Sequence, residues 1–379
     1  MIDSNKYDVA IIGGGLAGLT LSIQCADAGY KTILFEKENY PFHKVCGEYI
    51  SMEGWNFLER LGLPLQNFHL PFIKKLQLTD NAGRAYSFKL PLGGFGISRY
   101  KLDNALFEIA KAKGVDVHTE TKVSDVVFEN DLFVVQTNSN NYAVRVAAGA
   151  YGKRSNMDIK WKRDFIAEKK YSVNNYIGVK YHIRYEQPKE LITLHNFKNG
   201  YCGISNIEDS KCCLCYLTTS ENLKMNNNSI EQMEKNILCT NPKLKEIFSS
   251  AEFLYKEPLA ISQISFDKKS QVENHLLMIG DAAGMITPLC GNGMSMAMHG
   301  SKIAFSNIND FLLGKNSRNK MEQAYTMQWQ KVFKQRLWVG RNVQRLFGNN
   351  SSTAFFLSMM NALPFVSKKI IKATHGEPF

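Results

Sequence analysis

The sequence predicts an α/β fold in which a mainly parallel, doubly wound sheet is interleaved with an antiparallel sheet and followed by C-terminal helices. Three observations predict it. Residues 7–12 form an apolar run that stops at three glycines, gives way to a helical pattern and then to a second apolar run. Residues 177–183 and 212–217 alternate as half-buried strands do. From Arg318 onward apolar residues recur at helical spacing between basic ones. At 379 residues the chain exceeds one ordinary domain and can bury a large core.

Residues 7–12 read as a buried parallel strand, because an apolar run without polar alternation needs cover on both faces. The loop Gly13-Gly14-Gly15-Leu16-Ala17-Gly18 follows. In it Gly13 permits a tight turn, Gly15 lets backbone approach a pyrophosphate, and Gly18 lets the helix pack on the strand, with Ala17 between them. The helical pattern over residues 16–28 ends at Gly29, a C-cap, and its first turn offers unpaired N–H groups and a positive dipole end to phosphate. A second strand over residues 31–36 ends at Glu36, about 20 residues on, where an acid binds ribose hydroxyls; Lys37 follows it. This pattern marks a dinucleotide site and does not separate FAD from NAD.

Residues 275–284 run from an apolar strand into Gly280-Asp281-Ala282-Ala283-Gly284. Thr287-Pro288-Leu289-Cys290-Gly291-Asn292-Gly293 and a small-residue helix beginning at Met294 follow. With the glycine loop, this resembles the FAD-dependent superfamily of aromatic hydroxylases, flavin-dependent halogenases and geranylgeranyl reductases, closest to the geranylgeranyl reductase-like branch. The resemblance runs over roughly residues 5 to 310 and implies FAD. It implies that Asp281 contacts the ribityl chain or pyrophosphate. It also implies that the turn through Pro288, Gly291, Asn292, Gly293 and Met294 opens a helix whose N-terminus faces the flavin pyrimidine edge, where negative charge develops on reduction. The stretch from Ser98 to Leu106 resembles the family's arginine motif and puts Arg99 beside the cofactor. Lys122-Val123 offers the strand edge that meets the adenine, through Val123.

Lys44-Val45-Cys46-Gly47-Glu48 resembles the Lys-x-Cys-Gly segment of the geranylgeranyl reductases. That likeness places Lys44 and Cys46 beside the isoalloxazine and makes Cys46 the candidate catalytic residue, since a thiolate near a positive helix end is reactive. Residues 148–155 align with the family's Gly-Ala-Asp-Gly-x-x-Ser motif, but Tyr151 replaces the aspartate. In the hydroxylases that acid is tied to FAD and to the passing nicotinamide, so the reductant is left as NAD(P)H or another electron donor.

The antiparallel region is expected to floor the substrate cavity, with Tyr201, Gly203 and Pro288 as pocket residues. Where halogenases carry Trp-x-Trp-x-Ile-Pro and the lipid reductases Tyr-x-Trp-x-Phe-Pro, residues 199–205 carry neither, and the halogenase lysine motif has no counterpart. These absences argue against halogenation and leave hydroxylase and reductase, which no residue of the sequence separates; the reaction expected is monooxygenation of an apolar or aromatic small molecule such as a polyketide or lipid-like metabolite. The alternatives are reduction of C=C bonds in an isoprenoid or lipid, with halogenation or FAD binding without turnover behind it. No metal is expected: Cys212 and Cys215, three apart on a strand, point to opposite faces, and no second such pair exists.

The expected FAD-binding domain, Rossmann-like and discontinuous, takes residues 1–65, 95–170 and 265–315. A substrate domain takes 66–94 and 171–264, and a C-terminal helical region 316–379. The net charge of +11 is spread along the chain with no nucleic-acid-binding motif, so no nucleic-acid partner is expected. The eight cysteines show no disulfide framework and the chain opens on a strand pattern, which predicts a cytoplasmic protein. No apolar run reaches the roughly 18 to 20 residues that span a bilayer. Basic residues among Trp329, Phe333 and Trp338, then residues 355–366 and Lys368-Lys369, read either as ordinary packing helices or as a peripheral membrane contact. A monomer or homodimer is expected.

Overall fold

A run that is apolar on both faces must be covered on both sides, and the first sheet shows how. The computed structural model describes residues 2–167 and 176–379, without the side chains of residues 2–6, 290, 350 and 351. β1 (Ile2–Ile12) pairs in parallel with β2 (Thr32–Phe35) on one side and β9 (Asn141–Gly149) on the other. β6 (Asp116–His118) extends the sheet beyond β2, and β17 (Leu276–Met278) extends it beyond β9, both in parallel. β7 (Val123–Glu129) and β8 (Leu132–Thr137) add an antiparallel hairpin to β9, and β16 (Val272–Glu273) adds an antiparallel edge to β17.

α1 (Leu16–Asp27) covers this sheet and packs on α2 (Arg99–Ala112) and α3 (Gly293–Leu312). Its end is set by Gly29, whose φ of +84° suits a residue without Cβ. α4 (Arg318–Gln344) buries Met321, Tyr325, Trp329, Phe333 and Leu337, spaced four apart, in the same core. Tyr325 Oη donates to Met278 O at 2.5 Å. The region after residue 316 is thus part of the core, because its apolar stripe has nowhere else to go.

The second sheet runs in the order β14 (Glu252–Phe253), β10 (Tyr176–Arg184), β13 (Cys212–Thr219), β12 (Gly200–Asn206), β11 (Leu191–Phe197), β4 (Phe72–Thr79), β5 (Ala85–Gly96), β3 (Tyr49–Ser51), with β15 (Leu259–Ile264) also on β10. Only the β4–β11 pair is parallel among its described strands. Residues 49–51, expected in the first domain, cross to this sheet: Tyr49 pairs with Gly96 and Ser51 with Gly94. The expected boundary at residues 170/171 lies outside the described residues. α5 (Asn350–Ala362) and α6 (Pro364–Thr374) close over this sheet's face.

The cysteines whose side chains are described form no disulfide. Among the described residues no single helix is long and apolar enough to cross a membrane. Residues 352–362 and 364–374 reach that length together, but bend by 109°.

Candidate functional site

At the carboxyl end of β1 the glycines divide the work of shaping an anion cradle. Gly13 has φ +108°, and a Cβ there would sit 2.6 Å from Ala150 O; one on Gly18 would sit 2.0 Å from Gly13 O. Gly15 is different. A Cβ on it would meet only Arg99 Nη2 and Lys44 Nζ, each at 3.8 Å, so two cations flank an open space. Gly15 caps α1 without a side-chain hydrogen bond and the first turn holds no acid, which leaves its N–H groups for a ligand.

Asp103 holds the cations in place. Its carboxylate takes two hydrogen bonds from Arg99, both at 2.7 Å, and one from Lys44 at 3.1 Å. Burial would raise its pKa, but Arg99 and Lys44 outweigh it and hold the carboxyl below the usual range. Glu36 lies buried at the end of β2 and accepts from Gly14 N at 2.9 Å and Glu38 N at 3.1 Å. Thr121 N donates to Glu36 O at 2.9 Å, which brings the start of β7 and Val123 to the same edge. Lys37 is exposed and pairs with Glu38 at 3.3 Å; it stands apart from the loop, since an i,i+1 residue at a strand end points the other way.

Gly280 adopts φ +60°, and a Cβ on it would touch Ala17 Cβ at 3.0 Å, so the Asp281 turn packs on the first turn of α1. Burial raises the Asp281 carboxyl, against Lys269, Arg99 and Lys153. Lys269 donates to Lys153 O at 2.7 Å and Asp281 O at 2.8 Å, and burial lowers its ammonium pKa to about 8. Tyr151 Oη donates to Asp158 Oδ1 at 2.8 Å. Asp158 pairs with buried Arg163 at 2.8 Å, and Arg163 reaches Ala282 O at 3.2 Å. Asp158 and Arg163 thus tie Tyr151 to the turn that carries Asp281.

The turn from Pro288 to Asn292 leads into α3. Gly291 has φ +66°, and a Cβ there would strike the Tyr49 ring at 2.9 Å. Asn292 caps α3 without a side-chain bond to it: its Nδ2 donates to Thr374 O at 2.5 Å and its buried Oδ1 is left without a partner; Met294 is buried behind. Two uncapped helix N-termini with flanking Arg99, Lys44 and Lys269 fit the diphosphate and the electron-accepting ring of FAD.

Cys46 is half-buried, and burial raises its thiol pKa, so the neutral thiol is favoured over the expected thiolate. Next to it lies a cluster that sequence reasoning missed. Glu48, buried with φ +54°, accepts from Arg99 N at 2.8 Å, from His182 Nε2 at 2.6 Å and from Lys180 Nζ at 2.5 Å. Burial would raise Glu48, but His182 and Lys180 hold it low. His182 Nδ1 meets Tyr255 Oη at 2.6 Å, and Tyr255 reaches His43. His43, His182, Tyr100 and Tyr255 line a cavity of about 500 Å³. Glu48, His182 and Cys213 come together as three potential metal ligands, but Lys180 already supplies the cation. The signal was the i, i+2 pair Lys180 and His182 on the inward face of a buried strand.

A second, apolar chamber lies on the Pro288–Gly291 turn. Leu76 and Leu78 of β4, Leu90 of β5, Ile192 and Leu194 of β11, Leu289, and Phe356, Met360, Ile370 and Ile371 of the last two helices wall it. Its free volume, about 90 Å³, is smaller than the roughly 150 Å³ apolar cavity that admits benzene, so a ring-sized molecule fits only if the helices part. Two polar atoms on its lining residues are buried without a partner: Tyr49 Oη and His375 Nε2. His375 Nδ1 donates to Ile371 O at 2.9 Å, and burial lowers the ring's pKa, which leaves Nε2 a bare acceptor. Of the expected pocket residues, Pro288 lines the chamber. Gly203 lies on β12, one strand beyond β11, and Tyr201 of the same strand packs in one apolar cluster with Leu78, Leu194, Phe356, Met360 and Ile371.

The sequence pattern of the FAD binding domain family matches residues 6–336. The chain is 26% identical over 335 residues to conditioned medium factor receptor 1 of Dictyostelium discoideum, covering 80% of this chain and 63% of that one. It is 24% identical over 348 residues to a digeranylgeranylglycerophospholipid reductase of Methanococcus vannielii, covering 86% of this chain and 82% of that protein. In three dimensions it is similar to the flavin-dependent brominase Bmp2, with a TM-score of 0.78 at 18% identity over 97% of this chain and 93% of the brominase.

Proposed function

We propose that this chain, which belongs to the FAD binding domain family, is an FAD-dependent monooxygenase that hydroxylates an apolar or aromatic small molecule bearing one hydroxyl group. The observation that carries this reading is that Tyr49 and His375, both lining a mainly apolar chamber, each keep a buried polar atom without a partner. A substrate hydroxyl would donate to His375 Nε2 and accept from Tyr49 Oη. Drawing its proton toward His375 enriches an attached ring or enol in electrons, as transfer of an electrophilic oxygen requires. Walls of leucine, isoleucine and phenylalanine keep water from the reacting atoms.

When bound, FAD supplies two-electron transfer and, once reduced, activation of dioxygen. The pyrophosphate would sit on Gly13, Gly15, Ala17 and Gly18 between Lys44 and Arg99, with Glu36 at the ribose and Val123 at the adenine edge. Gly280 and Asp281 would meet the ribityl region. The turn of Pro288, Gly291, Asn292, Gly293 and Met294 would present α3 to the ring. NAD(P)H or a protein donor would supply the electrons.

Reduction of an alkene is the second reading, supported by the Lys44-Val45-Cys46-Gly47 segment and the phospholipid reductase relative. Tyr49, kept neutral because burial raises its pKa, would then be the proton donor. A prenylated phenol supplied to the reduced holoprotein separates the two. Under ¹⁸O₂ the first reading requires one labelled oxygen per product. A saturated product formed under argon would replace it with the second, and neither product would overturn both.

A further inference from the structure

We propose that the bend between α5 and α6 is a docking surface for an anionic lipid bilayer. Both helices are split into an inner and an outer face at helical spacing. On α5, Thr353, Phe356, Leu357 and Met360 are buried, while Phe355 is 73% exposed on the opposite face with Ser358 and Ala362. On α6, Ser367, Ile371 and Thr374 are buried. Phe365, Lys368, Lys369 and Lys372, at i, i+3, i+4 and i+7, are exposed together, with Phe365 at 77%. Every residue from Asn361 to Phe365 is exposed, including Leu363 and Pro364.

Packing explains the inner faces and leaves the outer ones unexplained. A free surface seldom keeps two phenylalanines and a leucine in water. Here Leu363 and Phe365 lie at the helix bend, with Phe355 about two turns before it on α5 and three lysines after it on α6, and residues 350–376 contain no aspartate or glutamate. Apolar prongs rimmed by cations suit a bilayer interface, where the rings enter the acyl boundary and the ammonium groups meet anionic headgroups. A second copy of the chain fits poorly, since a two-fold contact here would set lysine against lysine. The inner faces of the same helices close the apolar chamber, so a tip held in lipid is placed to part them and admit an apolar molecule. That last step rests on the chamber being the substrate site; the docking surface does not.

Cosedimentation of the FAD-loaded protein with vesicles tests the surface without reference to turnover. Vesicles of phosphatidylcholine with phosphatidylserine should carry the protein down, and 0.5 M salt should release most of it. The double substitution Phe355→Ser, Phe365→Ser should lower the partition coefficient by about tenfold or more, and Lys368→Gln by about fivefold. FAD content and the unfolding midpoint should stay as in the parent, because these side chains are exposed. Failure of the parent to bind, equal binding to pure phosphatidylcholine, or unchanged binding of the double variant would each overturn the proposal. So would a dimer that the same substitutions dissolve. Vesicle binding without turnover would leave this surface standing and remove the hydroxylase reading.

Discussion

The glycine-rich cradle and the apolar chamber are built in opposite ways. The cradle is a backbone device: Gly13 and Gly18 allow close approach, Gly15 leaves an opening, and Asp103 fixes two cations beside it. The chamber is a side-chain device, with residues contributed by β3, β4, β5, β11, the Pro288 turn and the last helices. One end depends on main-chain N–H groups that any substrate-specific relative can share. The other is defined by side-chain volumes and by two buried polar atoms, which substitutions can alter without touching the glycine loop.

Substitutions should pull the two regions apart. The largest effect is expected from Gly18→Val, whose Cβ would lie 2.0 Å from Gly13 O. A loss of about 3 kcal/mol or more, read by denaturant unfolding, should follow from that overpacking. Gly15→Val has room for its first carbon, so it should leave apoprotein stability near the parent's while FAD retention falls below roughly a tenth. Equal destabilisation by both would erase the distinction drawn between these glycines. Asp103→Ala strands Arg99 and Lys44 and should cost on the order of 3 kcal/mol, with weaker FAD binding.

In the chamber the changes should be milder. Tyr49→Phe removes one hydroxyl and should weaken binding of a phenolic substrate by about tenfold while FAD content holds. The last prediction concerns pH. Burial lowers His43, His195 and His299 from 6.5 to about 4. Their stabilisation is complete above pH 6.5 and is lost as pH falls through their folded values, so the unfolding midpoint should drop between pH 6.5 and 4. Glu234, raised by burial from 4.5 to about 7, works in the opposite direction, and Glu234→Gln should steepen that drop. An unchanged slope would remove Glu234 from the account.

The same contrast decides what could be read in the sequence. The glycine loop of the cradle was legible because its residues are contiguous and their roles follow from φ angles and missing Cβ atoms, whereas Asp103, which orients Arg99 and Lys44, was not among the expected site residues. The parallel sheet and the long C-terminal helix were legible from periodicity. Tyr49 and His375, more than 300 positions apart, carry no local pattern, and only tertiary packing leaves their polar atoms bare. Glu48 sat inside a recognised segment, yet its partners Lys180 and His182 come from another sheet. Strand order within a sheet, which sets which strand borders the turn, is not encoded by alternation.

The separation of the two regions is tested most directly by titrating the oxidised, FAD-loaded protein with a prenylated phenol. The visible absorbance of the flavin reports binding in the parent and in Tyr49→Phe. The account predicts a saturable change in the parent, a dissociation constant about tenfold higher in the variant, and one FAD per chain in both. No saturable change in the parent, or loss of FAD from the variant, would contradict it.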